Sequence, residues 1–261
     1  MAKTTAALKP RGFGNTQRRD AWWLGPVITF IVFTAFIVYS TWAAFQNAHY
    51  WYGPYLSPFY SPELFGESPH SLFGPKPSWI PTGLPWSPAF LILPFPAFFR
   101  LTCYYYRGAY YKAFWADPPS CAVGEPRVGY RGEQKWPLKF QNIHRYFLYA
   151  ALIFLVFLWH DVWLAFHFGG RLGIGVGTLV LLANTTLLTL YTFSCHSLRH
   201  LIGGRRDCLS RAKASFACYS CVTSLNKRHY LYAWMSLFGV GLADLYVRLV
   251  SMGVIHDWRI I

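Results

Sequence analysis

From Trp22 to Phe45 the chain runs without a single charged residue. About 20 mostly apolar residues at 1.5 Å of rise each cross the hydrocarbon core of a bilayer. A helix built from this run would have no polar face to turn toward water, so it belongs in lipid. Composition agrees: 54% of residues are hydrophobic, 20% aromatic and only 13% charged. A soluble domain needs more charge than that to wet its surface, whereas a membrane protein places Trp and Tyr at the headgroups. The formal net charge of +14 could point to nucleic acid, but the basic residues lie in the gaps between apolar runs rather than on one basic face. The run is also too long for a cleavable signal peptide and lacks a small-residue cleavage site.

Four more stretches are candidate spans: Trp86 to Tyr106, with a kink expected at Pro94 and Pro96; Ile143 to Phe166; Ile174 to Cys195, continuing to His200; and Tyr230 to Val254. The expected fold is therefore all-α, a polytopic membrane protein with five transmembrane helices. Residues 1–21 form a basic arm, 46–85 an outer cap, and 107–142 and 201–229 long connections. Lys and Arg set the orientation. The arm carries Lys3, Lys9, Arg11, Arg18 and Arg19, and the second connection carries Arg107, Lys112, Arg127, Arg131, Lys135 and Lys139. The connection after the fourth span is equally basic, whereas 46–85 holds only Lys76 and the turn Phe168 to Arg171 only Arg171. The N-terminus is expected in the cytoplasm and the C-terminus outside. The two basic connections suit anionic lipid headgroups or a soluble partner equally.

The six cysteines, Cys103, Cys121, Cys195, Cys208, Cys218 and Cys221, all avoid the outer cap. Reduced thiols or metal ligands are therefore expected rather than disulfides. His196 and His200 are spaced i,i+4 and share a helical face. Cys103, Cys121, His144 and His229 fall at the same cytoplasmic level once the spans are threaded, a soft donor set suited to zinc, copper or iron–sulfur chemistry. Such a histidine pair is also common as an ordinary interfacial feature. Two haems would need histidines inside four helices, and the second span has none. A single haem through His160 and a histidine of the fourth span stays open, although none occupies the middle of that span. Cys218 and Cys221 form one CxxC with no second to complete a zinc site.

Asp161, Asp244 and Arg248 lie within spans. An intramembrane carboxylate is a functional candidate, and Asp244 with Arg248 at i,i+4 is equally a mutual salt bridge. Asn184 to Thr186 reads as interhelical hydrogen-bonding glue. No dinucleotide fingerprint, phosphate loop, HExxH or GxSxG occurs, so the chain alone is not a complete enzyme.

Several strings are long and unusual: Leu91 to Pro96 (LILPFP), Arg100 to Arg107 (RLTCYYYR), Ala113 to Val123 (AFWADPPSCAV), Gln141 to Tyr146 (QNIHRY), Cys195 to Gly204 (CHSLRHLIGG), Leu225 to His229 (LNKRH) and Asp244 to Leu249 (DLYVRL). In these the chain resembles the membrane anchor of the haem-free, five-helix class of succinate dehydrogenase from mycobacteria and other actinobacteria. The resemblance spans nearly everything except the basic arm. It implies one subunit of a succinate:quinone oxidoreductase in the bacterial plasma membrane, with a flavoprotein and an iron–sulfur protein as partners. It implies no nucleic acid, no haem, and a Rieske-type [2Fe–2S] cluster inside the membrane part. That cluster takes two thiolates on one iron and two imidazoles on the other. The expected ligands are Cys103 and Cys121 with His196 and His200; His144, His229 and Cys195 are held in reserve, Cys195 because it would face away from His196 on a regular helix.

The quinone, expected to be menaquinone, needs hydrogen-bond donors near the electron source. Tyr104, Tyr106, Arg107 and Tyr110, with Trp115 and Trp234, are the candidates, against their reading as an interfacial aromatic belt. Two other functions fit parts of the pattern: a haem b anchor, and a transporter using Asp161, Asp244 and Arg248. An odd number of spans and no inverted repeat count against the transporter.

Overall fold

The computed structural model describes residues 12–81, 85–126, 138–204 and 206–261. Lys3, Lys9, Arg11, Arg127, Arg131 and Lys135, used above for orientation, lie outside the described residues. Nine α-helices are described: α1 Leu24–Gln46, α2 Ala89–Ile92, α3 Pro94–Leu101, α4 Tyr104–Phe114, α5 His144–Ala165, α6 Val176–Phe193, α7 His196–Gly203, α8 Lys213–Asn226 and α9 His229–Ser251. Among the described residues, four helical stretches are long and apolar enough to cross a membrane: Leu24–Gln46, Lys139–Ala165, Val176–Phe193 and His229–Ser251.

Two expected spans differ from the sequence reading. The second is not one kinked helix; it divides into α2, α3 and α4, with Ala89–Leu101 forming only a short apolar stretch. Pro94 opens α3, the position where a missing N–H costs nothing, and a second break falls at Thr102-Cys103. The fourth is not continuous to His200, because Ser194 and Cys195 separate α6 from α7.

The chain divides into two compact units, residues 1–37 with 101–142, and residues 38–100 with 143–261. In the first, Phe30 packs on Phe114 with ring centroids 4.8 Å apart, and Phe33 meets Tyr106 edge-on at 5.3 Å. The segment before α1 pairs with the loop after α4: Gly14 N–H donates to Gly124 O at 3.0 Å, and Gly124 N–H to Asn15 O at 2.8 Å. Arg18 adds donations to Ser120 Oγ at 2.8 Å and to the Cys121 carbonyl at 2.9 Å.

In the second unit α5, α6 and α9 pack together. Their polarity is inverted relative to a soluble bundle. On α9 the exposed residues include Leu231, Met235, Phe238, Leu242 and Leu245, while Ala233, Ser236, Ala243, Asp244 and Arg248 are buried. Exposed bulky side chains over a small and polar interior suit lipid contact, where close backbone approach and interhelical hydrogen bonds hold helices together. Val162, Ala165, Leu181, Ala243 and Val247 form the apolar core, joined by Tyr55 from the cap.

The cap begins as a short hairpin, β1 Trp51–Tyr52 against β2 Tyr55–Leu56. A second hairpin, β3 His167–Phe168 with β4 Arg171–Leu172, makes the glycine turn between α5 and α6. The tail closes the same end. Asp257 accepts the Gly177 N–H at 2.8 Å, the Tyr55 hydroxyl at 2.7 Å and the Tyr246 hydroxyl at 2.6 Å. A carboxylate is thereby placed at the N-terminus of α6, where the helix dipole favours it. Gly177 is required by close approach: a Cβ there would stand 2.6 Å from the Tyr55 ring.

The intramembrane charges are held by this cap. Arg248 Nε donates to Asp244 at 2.8 Å, and its other nitrogens reach the carbonyls of Ala43 and Ala48, each at 2.9 Å. Tyr39 and Ser57 donate to the Asp244 carboxylate, and Ser61 donates to Asp161. The salt-bridge reading of Asp244 and Arg248 is the one observed, with both residues almost fully buried. Asn184 departs from the glue reading: its side-chain amide, 1% exposed, has no hydrogen-bond partner among the described residues.

Candidate metal centre

The break after α6 is made by one dipeptide. Ser194 Oγ donates to the Tyr191 carbonyl at 3.0 Å, a local bond that competes with continuation of the helix. Cys195 then turns extended, at φ −64° and ψ 136°, and its carbonyl accepts the Arg199 N–H at 3.2 Å to start α7. Because the helix stops here, Cys195 does not project as it would from a regular helix; it is buried at 2% exposure while His196 and His200 are exposed. The premise that kept Cys195 in reserve is overturned.

Cys195 Sγ lies 3.2 Å from His144 Nε2, at the first residue of α5. His229, at the first residue of α9, is buried and places Nδ1 2.6 Å from Ser194 Oγ. Aromatic rings connect the two imidazoles. His144 stacks on Phe99 at 4.8 Å and 5°, Phe99 meets Tyr191 at 5.4 Å, and Tyr191 stacks on His229 at 5.1 Å. Arg100 lies over the Tyr191 ring at 4.8 Å and donates to the Ala233 carbonyl at 3.2 Å and to Ser236 at 3.1 Å. The Asn226 side chain, at the end of α8, donates to the Ser194 carbonyl at 2.7 Å. One end of the packed helices thus collects a thiol and two imidazoles. Among the described residues no three His, Cys, Asp or Glu side chains converge on a single ion position.

The other candidates sit elsewhere. Cys103 repeats the Cys195 geometry within its own unit. It is 2% exposed, stands at φ −67° and ψ 130° after a buried hydroxyl residue, Thr102, and its carbonyl accepts the Arg107 N–H to start α4. Both sites read Thr/Ser-Cys-x-x-x-Arg, a local repeat that the sequence carries without advertising. Cys121 is exposed on the loop that binds Arg18. Cys208, Cys218 and Cys221 are exposed, and no disulfide forms among the described residues.

Of the quinone candidates, Tyr106 is buried, and Arg107 donates to Gln141 Oε1 at 2.6 Å while lying over Tyr104 at 5.0 Å. Tyr110 donates to the Leu101 carbonyl at 2.7 Å and packs edge-on against Trp115. Burial raises its phenol above the ordinary value, which keeps the hydroxyl a donor. Gln141 Nε2 is buried with no hydrogen-bond partner among the described residues. Trp234 belongs to the other unit and packs with Tyr230 and Phe238. Sequence reasoning missed Ser194, Tyr191, Phe99, Arg100, Asn226 and Gln141 as site residues. The hydroxyl-Cys repeat was the available signal for Ser194; the others are brought in by packing.

Residues 24–253 match the family described as actinobacterial succinate dehydrogenase subunit SdhC. A chain of the solved Mycobacterium smegmatis Sdh1 complex in its apo form is similar in structure, with a TM-score of 0.87 and 43% sequence identity over 94% of each chain. No curated protein matches.

Proposed function

Because the chain belongs to the actinobacterial succinate dehydrogenase SdhC family, we propose that it delivers electrons from an iron–sulfur partner to a quinone through a Rieske-type [2Fe–2S] cluster. It is the membrane anchor of a bacterial complex II, multi-pass in the plasma membrane and assembled with the other subunits of succinate dehydrogenase. The finer reading rests on one observation: a buried thiol and two buried imidazoles, Cys195, His144 and His229, gather where α5, α6 and α9 end. Two thiols and two imidazoles are the donor set of such a cluster, and shielded soft donors suit iron–sulfur chemistry. Cys103 joins the set on its local structure and burial alone. Compared with the exposed Cys121, His196 and His200, these four are withdrawn from water, which stabilises a thiolate–iron bond against hydrolysis and oxidation. When bound, the group supplies a one-electron relay. The chain's own residues shield it and hold the imidazoles flat against Phe99 and Tyr191.

For the quinone, Gln141, Arg107 and Tyr110 within their unit form the supporting donor group. Arg107 holds Gln141 through Oε1, which leaves the amide Nε2–H as the group that can donate to a quinone carbonyl. Tyr110 can hand on a proton, and Arg107 can stabilise developing oxyanion charge. Tyr106 and Trp115, in the same unit, stay in the proposal as aromatic neighbours of this group, Trp234 stays a separate candidate, and menaquinone is the expected substrate.

The test is a paired substitution in the purified complex. His144→Ala with His229→Ala should abolish the reduced-cluster resonance and quinone reduction while leaving succinate oxidation by a soluble dye intact. The same measurements on His196→Ala with His200→Ala should give parent-like values. The reverse pattern would transfer the ligand role to the α7 pair.

A further inference from the structure

Residues 252–261, read as MGVIHDWRII, follow the last span and carry six large apolar side chains beside one acid, one arginine and one histidine. The segment turns at Gly253, where φ is +71°, a conformation that glycine adopts without strain. It then pairs with the residues leading into α6. The Val176 N–H donates to the Trp258 carbonyl at 3.0 Å, the Ile260 N–H to the Ile174 carbonyl at 2.7 Å, and the Ile174 N–H to the Ile261 carbonyl at 3.1 Å. Arg259 bridges antiparallel to Gly175. A chain paired in this way sends alternate side chains to opposite sides. Asp257 and Arg259 take the protein side: the carboxylate receives Gly177, Tyr55 and Tyr246, and the guanidinium lies 4.2 Å over the Phe168 ring. Trp258 and Ile260 take the other side, 75% and 56% exposed.

The level of the segment decides what meets that exposed side. It crosses just past the end of α9 at Ser251 and just before the start of α6 at Val176, and both helices are long and apolar enough to span a membrane. That is headgroup level, where Trp is enriched because its ring is apolar and its N–H polar. The exposure also continues that of the spans. Leu242 and Leu245 of α9 and Leu179 of α6 are exposed, and so are Val254 and Leu172 at the level of the segment.

We propose that residues 252–261 form a membrane-surface strap, with Trp258 and Ile260 inserted at the boundary between phospholipid headgroups and acyl chains. The molecule that covers this face is phospholipid, not a further protein chain. The strap is two-sided: Asp257 and Arg259 tie it to the cap and to the turn between α5 and α6, while its apolar side is held by the bilayer.

The experiment uses the assembled complex in phospholipid nanodiscs, with a diazirine-bearing amino acid in place of Trp258, in a second preparation in place of Ile260, and in a third in place of Leu242 as the lipid-facing reference. Irradiation yields a carbene that inserts into whatever it touches. Mass spectrometry then separates phospholipid adducts, crosslinks to another subunit or a second copy, and the alcohol formed with water. Phospholipid adducts should exceed both other products several-fold at positions 258 and 260, as at 242. Water insertion as the main product would place the segment in solvent, and crosslinks as the main product would make it a protein interface; either result overturns the proposal. If one variant fails to assemble, the other position still decides, because the two side chains share one side of the strap.

Discussion

Two buried polar clusters occupy opposite ends of α9, and they differ in what satisfies them. At the outer end, Asp244 takes hydrogen bonds from Arg248, Tyr39 and Ser57, and Arg248 continues to two backbone carbonyls. Every partner is a hard donor or acceptor of the chain itself, and the cap threads Ser57 into it. At the inner end, His229 contacts Ser194 and His144 contacts Cys195, so that two imidazoles and a thiol, groups with metal-binding chemistry, lie at one end of the helices. The outer cluster is a clasp, because burying a charge costs several kcal/mol unless it is paired and hydrogen-bonded. The inner one has no such need. Neutral imidazoles and thiols could have been replaced by apolar residues, so their convergence calls for a chemical reason. Burial and polarity alone do not separate a structural site from a functional one; the identity of the partners does.

The largest expected effect breaks the inner cluster only. Cys195→Ala should remove the cluster resonance completely and leave the complex assembled, whereas Cys121→Ala should retain it at parent intensity. Loss in both variants would end the distinction between buried and exposed thiols.

The outer clasp should fail in stability instead of chemistry. Arg248→Ala leaves Asp244 buried without its cation, a change that costs about 3–5 kcal/mol. Thermal unfolding of the detergent-solubilised complex should register it as a marked fall in midpoint, with the resonance of surviving protein unchanged. A shifted resonance would show that the two ends are coupled.

Ser57→Ala removes one of three donors to Asp244, so a loss of about 1–3 kcal/mol is expected. It should be smaller than that of Arg248→Ala in the same assay; an equal or greater loss would make the cap, not the ion pair, the principal support.

The smallest effect concerns pH. Burial holds His70 in the cap below its ordinary value of 6.5, although its ring nitrogen contacts the Gly53 carbonyl at 3.0 Å. The unfolded chain binds this proton more readily than the folded one, so the stability tied to neutral His70 is complete above about pH 6.5 and declines as pH falls below it. A modest drop in unfolding temperature from pH 7.5 to 5.5, reduced in His70→Gln, is expected; identical pH profiles would exclude His70 as its source.

The spans were legible because their signal is local. Trp22 to Phe45 needs no partner to declare itself lipid-facing, and the i,i+4 spacing of Asp244 and Arg248 announces an ion pair from helix geometry alone. Resemblance in strings such as CHSLRHLIGG identified the family, as the match over residues 24–253 bears out. The break at Ser194-Cys195 was not legible. Leu-Tyr-Thr-Phe-Ser-Cys-His reads as continuing helix, since no proline or glycine interrupts it, and the spacing argument for His196 and His200 followed from that continuity. What ends α6 is a serine hydroxyl bonded back to Tyr191 and a carbonyl bound by Asn226, 32 residues away in sequence. The sequence by itself determined that this chain is a bundle of membrane helices and to which family it belongs, because hydrophobic length and motif are properties of contiguous residues; the division of the second expected span into α2, α3 and α4 it did not show. Only the tertiary structure decided that His144 contacts Cys195 and His229 contacts Ser194 while His196 and His200 are exposed, because these pairings depend on helix ends brought together by packing, over separations that no local pattern encodes.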